Sequence, residues 1–174
     1  MTFLSEHFTL RELERSATAR RLGISNTAPN AAVVHLQQLC THVLEPLRMD
    51  YGRPIRIGSG YRCPELNKAI GGATSSQHMS GKAADITSLH DERDENLQLL
   101  RTLITSGLEY DQCICEFPDA FGRPDWVHVS WDADKPRQRR AFLVCTRYGG
   151  RTHYERMKPE DYLARVDCGH YVNY

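Results

Sequence analysis

The segment "PDWVHVSW", residues 124–131, alternates without a break: Val127 and Val129 fall on one side, Trp126, His128 and Ser130 on the other. Only extended backbone sends every second side chain to one face, so the stretch requires a sheet half buried through its valines. The same alternation leaves His128 on the opposite face, where it can look into a cleft. "YDQCICEF", residues 110–117, reads as another strand. "RRAFLVCTRYGGRTHYER", residues 139–156, reads as a hairpin turning at Gly149 and Gly150.

Helical periods stand between and before these strands. In "PNAAVVHLQQLCTHVLEPLR", residues 29–48, Val33, Leu36, Cys40, Val43 and Leu47 share one face. Pro29 suits the start of that helix, and Pro46 is expected to kink or shorten its last turn. His35 and His42 lie on it two turns apart and read as surface or packing residues. "RDENLQLLRTLITSG" repeats the pattern with Leu97, Leu100, Ile104 and Leu108 near one face and Gly107 at the end. Thr9 and Glu12 in "TLRELERS" have capping-box spacing. "RPIRIGSGYRCPELNKAIGG" reads as strand, glycine turn and short helix ended by Gly71 and Gly72, and "AADITSL" as a strand. No repeated strand and crossover unit occurs, so the expected class is α+β, a small antiparallel sheet core flanked by helices. The expected organisation is one domain over residues 1–174, with a helical part at 1–50 and a less defined part at 132–174.

At 174 residues the chain can bury a core without cross-links. Its 22 basic and 22 acidic residues cancel, which gives no reason to expect nucleic acid or stable membrane association as a partner. The start, "MTFLSEHFTLRELERS", carries acids and no long apolar run, so the expectation is a protein made and kept in the producer's cytosol. Six cysteines occur, at 40, 63, 113, 115, 145 and 168. Cys113 and Cys115 are too close for the usual paired zinc spacing, and most of the six are expected to be reduced thiols packed as small hydrophobes.

The chemistry concentrates in "SSQHMSGKAAD", residues 75–85, together with the strand of His128. His78 sits among serines and Gly81, a turn able to present a side chain, and Asp85 follows at the start of a strand. Two histidines and a carboxylate from neighbouring segments give three protein ligands and leave one zinc position open, the layout of a hydrolytic metal site. Each residue also has a plainer reading, as a hydrogen-bonded core histidine or a turn carboxylate. Asp125, at the strand entrance after Pro124, is the candidate to accept a proton from attacking water; its plainer role is a surface turn. Arg62, in "GSGYRCPELN", offers a guanidinium fork for a substrate carboxylate or for the oxygen that gains charge, or else forms a structural ion pair. Gln77 is a weaker donor candidate for the same oxygen.

"SGYRCPELN", "SSQHMSGKAADI" and "DWVHVS" together resemble the M15 family of zinc D-Ala-D-Ala carboxypeptidases and L-alanyl-D-glutamate endopeptidases, above all its small phage and prophage members. The resemblance runs from about residue 5 to 131 and implies a hedgehog/DD-peptidase-like fold. It implies that His78, Asp85 and His128 bind zinc, that Asp125 is the acid/base residue, and that Arg62 binds substrate and steadies the oxyanion. Ser76 matches a supporting serine. The implied substrate is peptidoglycan peptide, cut in the stem or the cross-links, with an endolysin's dependence on a holin for release from the cytoplasm, or a place in the virion. The motifs do not choose between carboxypeptidase and endopeptidase. "KPRQRR", residues 135–140, reads as a solvated loop or as an attraction to an anionic envelope, and His153 and His170 as surface histidines or neighbours of the site. The opposing reading is a non-catalytic phage structural or wall-binding module that keeps zinc for stability.

Overall fold

The computed structural model of the protein describes residues 2–169 and 171; His170 therefore lies outside the described residues. Among them, six strands form one sheet: β1 (Ile55–Ser59), β2 (Ala83–Ser88), β3 (Gln112–Glu116), β4 (Trp126–Ser130), β5 (Ala141–Tyr148) and β6 (Arg151–Arg156). They lie in the order β1-β2-β4-β3-β5-β6. The helices are α1 (Leu10–Glu14), α2 (Ala17–Leu22), α3 (Asn30–Leu39), α4 (Glu45–Tyr51), α5 (Pro64–Ala69), α6 (Arg93–Thr105) and α7 (Pro159–Asp167). The α+β class holds, with one refinement. Every neighbouring pair is antiparallel except β3 and β5, which run parallel.

The parallel pair follows from the path of the chain. β4 ends beside the start of β3, with Ser130 opposite Gln112, and β5 begins at that same end, with Ala141 opposite Gln112. The connection passes over one strand and places β5 on the far side of β3. Buried Asp111 fastens this crossing: Arg139 donates to both its carboxylate oxygens, Lys135 bonds it, and its main-chain carbonyl accepts from the Ala141 N–H. The cationic loop at 135–140 is therefore partly spent on an internal carboxylate.

The two faces of the sheet have different fates. Val127 and Val129 are fully buried, and Ala84, Ile86, Cys113, Cys115, Phe142 and Val144 share their side, the core packed under the helices. α6 lies against β2 and β4 there. Cys40, Cys63, Cys113, Cys115 and Cys145 are free thiols, and Cys113 and Cys115 alternate around Ile114 with both thiols in the core. Burial pushes the Cys115 thiol up to about 12, so it stays neutral and packs as a hydrophobe. The other face carries Asp85, Ile114, Glu116, Trp126 and His128 and is open to a cleft.

Local signals explain several boundaries. Thr9 and Glu12 form the expected capping box at α1. Gly149 and Gly150 both have positive φ, 58° and 73°, the geometry a two-residue hairpin turn demands. The helix carrying Pro46 does not end there. It opens into one π-helical turn, Cys40–Leu44, and continues through α4 to Gly52. The wider turn comes just before a residue with no N–H to offer, so the helix runs past the proline. His35 contacts the Ser80 carbonyl at 2.8 Å, and His42 stacks on Trp131 with ring centroids 4.6 Å apart, so both are packing residues. Among the described residues no helix is long and apolar enough to cross a membrane.

Candidate metal centre

Gly81 and Gly60 set the position of His78. His78 lies on a short 3-10 turn, Gln77–Ser80, closed by Gly81 at φ 73°. A Cβ on Gly81 would lie 2.4 Å from the Ala32 carbonyl oxygen, and one on Gly60 would lie 2.4 Å from the Leu13 carbonyl oxygen. Only glycine fits at either place. The turn thus seats against α3, the "SGYR" segment seats against the end of α1, and the Gly60 carbonyl faces His78.

That carbonyl fixes the imidazole. Nδ1 of His78 lies 2.7 Å from Gly60 O, and a carbonyl only accepts, so Nδ1 carries the proton and Nε2 presents its lone pair. Nε2 is 3.2 Å from Nδ1 of His128 and 3.2 Å from Oδ1 of Asp85; Nδ1 of His128 is 2.9 Å from the same oxygen. Asp85 and His128 face each other across β2 and β4, so the strand register itself delivers this contact. Tetrahedral zinc with bonds of about 2.0–2.2 Å holds its ligands roughly 3.3 Å apart, close to the observed triangle. Three electron-rich atoms aimed at one point repel unless a cation or a proton lies among them, and among the described residues these three form a group able to hold a metal ion. His78, Asp85 and His128 thus come together as expected. Burial alone would raise the Asp85 carboxyl, but the two imidazoles beside it outweigh burial and hold it well below the usual carboxylate range.

Arg62 also reaches the site, through the other oxygen of Asp85. An irregularity between Ile57 and Ser59 sets Ser59 opposite Asp85 and swings the following turn inward. Arg62 then donates from Nη2 to Oδ2 of Asp85 and from Nε to Ser59 Oγ at 2.8 Å. Its main-chain N–H donates to the His78 carbonyl at 3.2 Å. Arg62 therefore orients one ligand and braces the turn of another, while still lining the cleft. Gln77 donates to Asp111 at 3.0 Å, which ties the ligand turn to the crossing loop.

Asp125 stands at the entrance of β4, as expected, but its carboxylate pairs with Arg93 and is 44 % exposed. It lines a second concavity of about 420 Å³ with Arg56, Asp91 and Arg93, while the main cleft of about 620 Å³ lies on the other side. Asp85 and Trp126 line both, so the metal cluster sits where the two meet. His153 is exposed on β6 beside Tyr148 and has no part in the cleft.

One carboxylate escaped the sequence reading. Glu116, the last residue of β3, lines the main cleft and is 7 % exposed. Burial raises its carboxyl above the ordinary value, partly offset by a hydrogen bond from Cys145 and by the nearby His128. Tyr154 in turn bonds the Cys145 sulfur. The available signal was period two: Gln112, Ile114 and Glu116 alternate with the core cysteines, so Glu116 had to face away from the helices.

A family model described as Peptidase M15 matches residues 6–130, well over half of the chain. No curated protein matches it significantly in sequence.

Proposed function

The chain belongs to the peptidase M15 family, whose zinc peptidase chemistry suits its His-Asp-His cluster, and on that premise we propose that it hydrolyses peptide bonds in the stem or cross-links of peptidoglycan as a phage or prophage endolysin. The observation that carries the peptidase reading is the convergence of His78 Nε2, Asp85 Oδ1 and His128 Nδ1 at the floor of an open cleft. The two concavities meeting at Asp85 and Trp126 favour a substrate that continues on both sides of the scissile bond, hence internal cleavage. Release through a holin, or carriage in the virion, belongs to the same proposal.

Zinc bound by His78, Asp85 and His128 would polarise the scissile carbonyl and lower the pKa of attacking water. The protein's own groups supply the rest. Gly60 O and Arg62 keep the imidazole of His78 and the carboxylate of Asp85 turned toward the centre. Among the described residues Arg62 bonds through Nε and Nη2, which leaves Nη1 for an oxygen of the substrate. Arg147 lines the main cleft, which suits a carboxylate of a stem peptide. Asp125, three residues before His128, is the carboxylate assigned to move the proton.

The test is mass spectrometry of products from purified peptidoglycan, with wild type and a chelated sample in parallel. New amino and carboxyl ends formed only by the zinc-loaded protein are expected, and their masses name the bond. A folded, zinc-loaded protein that leaves peptidoglycan uncut would favour the wall-binding or structural module instead.

A further inference from the structure

We infer that an arginine-lined trough beside β1 is a second binding site, which takes a phosphodiester-linked polyol polymer of the bacterial wall. The trough shares no residue with the metal cluster. Its polyanion chemistry stands without the peptidase reading, and only the choice of the wall as source rests on that reading.

The trough encloses about 670 Å³ where the corner between α1 and α2 faces the edge strand β1. Arg11 and Arg15 come from α1 and its end, Arg20 from α2 and Arg56 from β1. Several contacts hold this corner in place. Asn26 donates to the Glu14 carbonyl at 2.8 Å and to the Tyr61 carbonyl at 2.9 Å. Ser16 caps α2 by accepting from the Ala19 N–H, and Gly60 packs on Leu13 with no room for a Cβ. The backbones that carry the arginines thus keep fixed relative positions, which lowers the ordering cost of binding.

Charge at this place is unbalanced. Basic and acidic residues cancel over the whole chain, 22 against 22, yet here four arginines surround Glu14, the one carboxylate of the lining. Glu14 is partly occupied, since its Oε1 accepts from the Ala28 N–H at 2.7 Å. Among the described residues none of Arg11, Arg15 and Arg20 forms an ion pair, whereas Arg56 pairs with Asp91 at 3.3 Å, both side chains about half exposed. So exposed a pair is weak and exchangeable. Arg11 and Arg15 stand four apart along α1, the spacing at which like charges repel. An anion between them relieves that repulsion.

The lining also discriminates among polyanions. A nucleic acid strand binds by stacking its bases on aromatic rings, and the trough has no aromatic residue. An anionic bilayer takes a face with projecting apolar side chains, but the apolar members here are Ala17 and the buried Ile57. An acidic peptide would bring side chains that need pockets, and Ser16, Ala17 and Gly58 form none. A polyol phosphate brings only hydroxyls and phosphate oxygens, which guanidinium forks bind through paired N–H donors. Arginines supplied by three separate elements suit a repeating chain better than one small ion.

Continuity gives the site a use. Arg56 and Gly58 line both the trough and the concavity that holds Asp125, and that concavity meets the main cleft at Asp85 and Trp126. A polymer seated among the arginines lies on the same open path as the wall peptide. Holding it there raises the concentration of that peptide at the metal cluster.

The experiment titrates labelled poly(glycerol phosphate) with the zinc-loaded full chain at low and at raised salt, read by fluorescence anisotropy. Wild type is compared with R11Q/R15Q/R20Q and with the charge-matched R137Q/R151Q/R165Q, which removes exposed arginines from the crossing loop, β6 and α7. The first variant is expected to bind at least about tenfold more weakly, and its slope of log affinity against log salt to fall from about 3 to about 1. The second should bind as wild type. No binding by wild type, or an equal loss in both variants, overturns the site. If urea unfolding shows the first variant misfolded, R20Q alone decides: the slope should drop by about 0.7, and an unchanged slope overturns it. Oligothymidylate of equal phosphate number, polyglutamate of equal charge, and phosphatidylglycerol vesicles should each bind at least about tenfold more weakly than the polyol phosphate; any of them binding as tightly overturns the assignment to that polymer. Binding is read without cleavage, so a protein that holds the polymer but leaves peptidoglycan whole refutes the peptidase reading alone, and cleavage without polymer binding refutes the trough alone.

Discussion

Replacing Gly60 by alanine should weaken the metal centre without touching a ligand. The added Cβ would sit 2.4 Å from the Leu13 carbonyl oxygen and 2.8 Å from both Leu13 Cα and Cδ1. Real Cβ contacts do not fall below 3.0 Å, so the two backbones must separate by roughly 0.6 Å at the least, an overpacking strain of about 1–3 kcal/mol. Two hydrogen bonds stand in the path of that movement: Tyr61 N–H to Leu13 O at 2.7 Å, and His78 Nδ1–H to Gly60 O at 2.7 Å. Loss of the first adds about 1 kcal/mol, giving a total destabilisation of about 2–4 kcal/mol. Loss of the second frees the imidazole to rotate, and removing such an outer partner lowers metal affinity about 10–100-fold. Urea unfolding of the metal-free protein reads the first effect, and competition with a chromogenic zinc chelator reads the second. Unchanged stability with unchanged zinc affinity would refute the chain of reasoning from Gly60 to His78.

Three other outcomes are expected. His78→Ala and His128→Ala should each lose bound zinc, and full occupancy in native mass spectrometry would sink the ligand assignment. Arg62→Leu should keep both histidines in place yet weaken zinc about 10–100-fold by releasing the second oxygen of Asp85, as read by the same chelator competition; wild-type affinity would show that the clamp is idle. Asp111 is fully buried, and although burial alone would raise it, hydrogen bonds from Arg139 and Gln77 bring its carboxyl down from 3.8 to about 2. A lowered carboxyl stabilises the fold above its unfolded value and loses that contribution as pH falls, here between about 4 and about 2. Asp111→Asn should therefore cost about 2 kcal/mol at pH 7 and show a shallower decline of stability in that acid window; parallel denaturation curves at pH 7, 4 and 2.5 check it, and identical slopes for the two proteins would count against the network.

Much of the fold was legible because its signals are local. The capping box needs only Thr9 and Glu12, the hairpin needs two adjacent glycines, and the facing of His128 needs only the valines on either side. The parallel placement of β5 was not legible, because it depends on which side of β3 the chain passes, and that is fixed by Asp111 reaching Arg139 across 28 residues. Pro46 was expected to kink or shorten the last turn, and only the π turn before it shows how the helix instead runs on. At the site, the three ligand positions could be read from residue type and spacing. Arg62 could be placed near the site but not given its partner, because the oxygen it holds is one side of a carboxylate whose other side faces the metal ligands. Glu116 lies in an apolar-looking strand, and its neighbourhood exists only once β3 has paired with β4.

The crossing that carries β5 past β3 divides the cleft between two stretches of chain. The metal cluster of His78, Asp85 and His128, with Arg62 beside it and Asp125 at the entrance of β4, falls within the part shared with the family, residues 6–130. The opposite wall, with Arg139, Leu143, Arg147, Thr152 and Tyr154, comes from the hairpin and its approach, beyond that boundary. The ligand cluster and the wall facing it thus come from separate, consecutive segments. On the proposed peptidase reading, changes on the cleft side of the hairpin would reshape the wall facing the ligand cluster while leaving His78, Asp85 and His128 untouched, so that wall is where a difference in substrate choice would be sought.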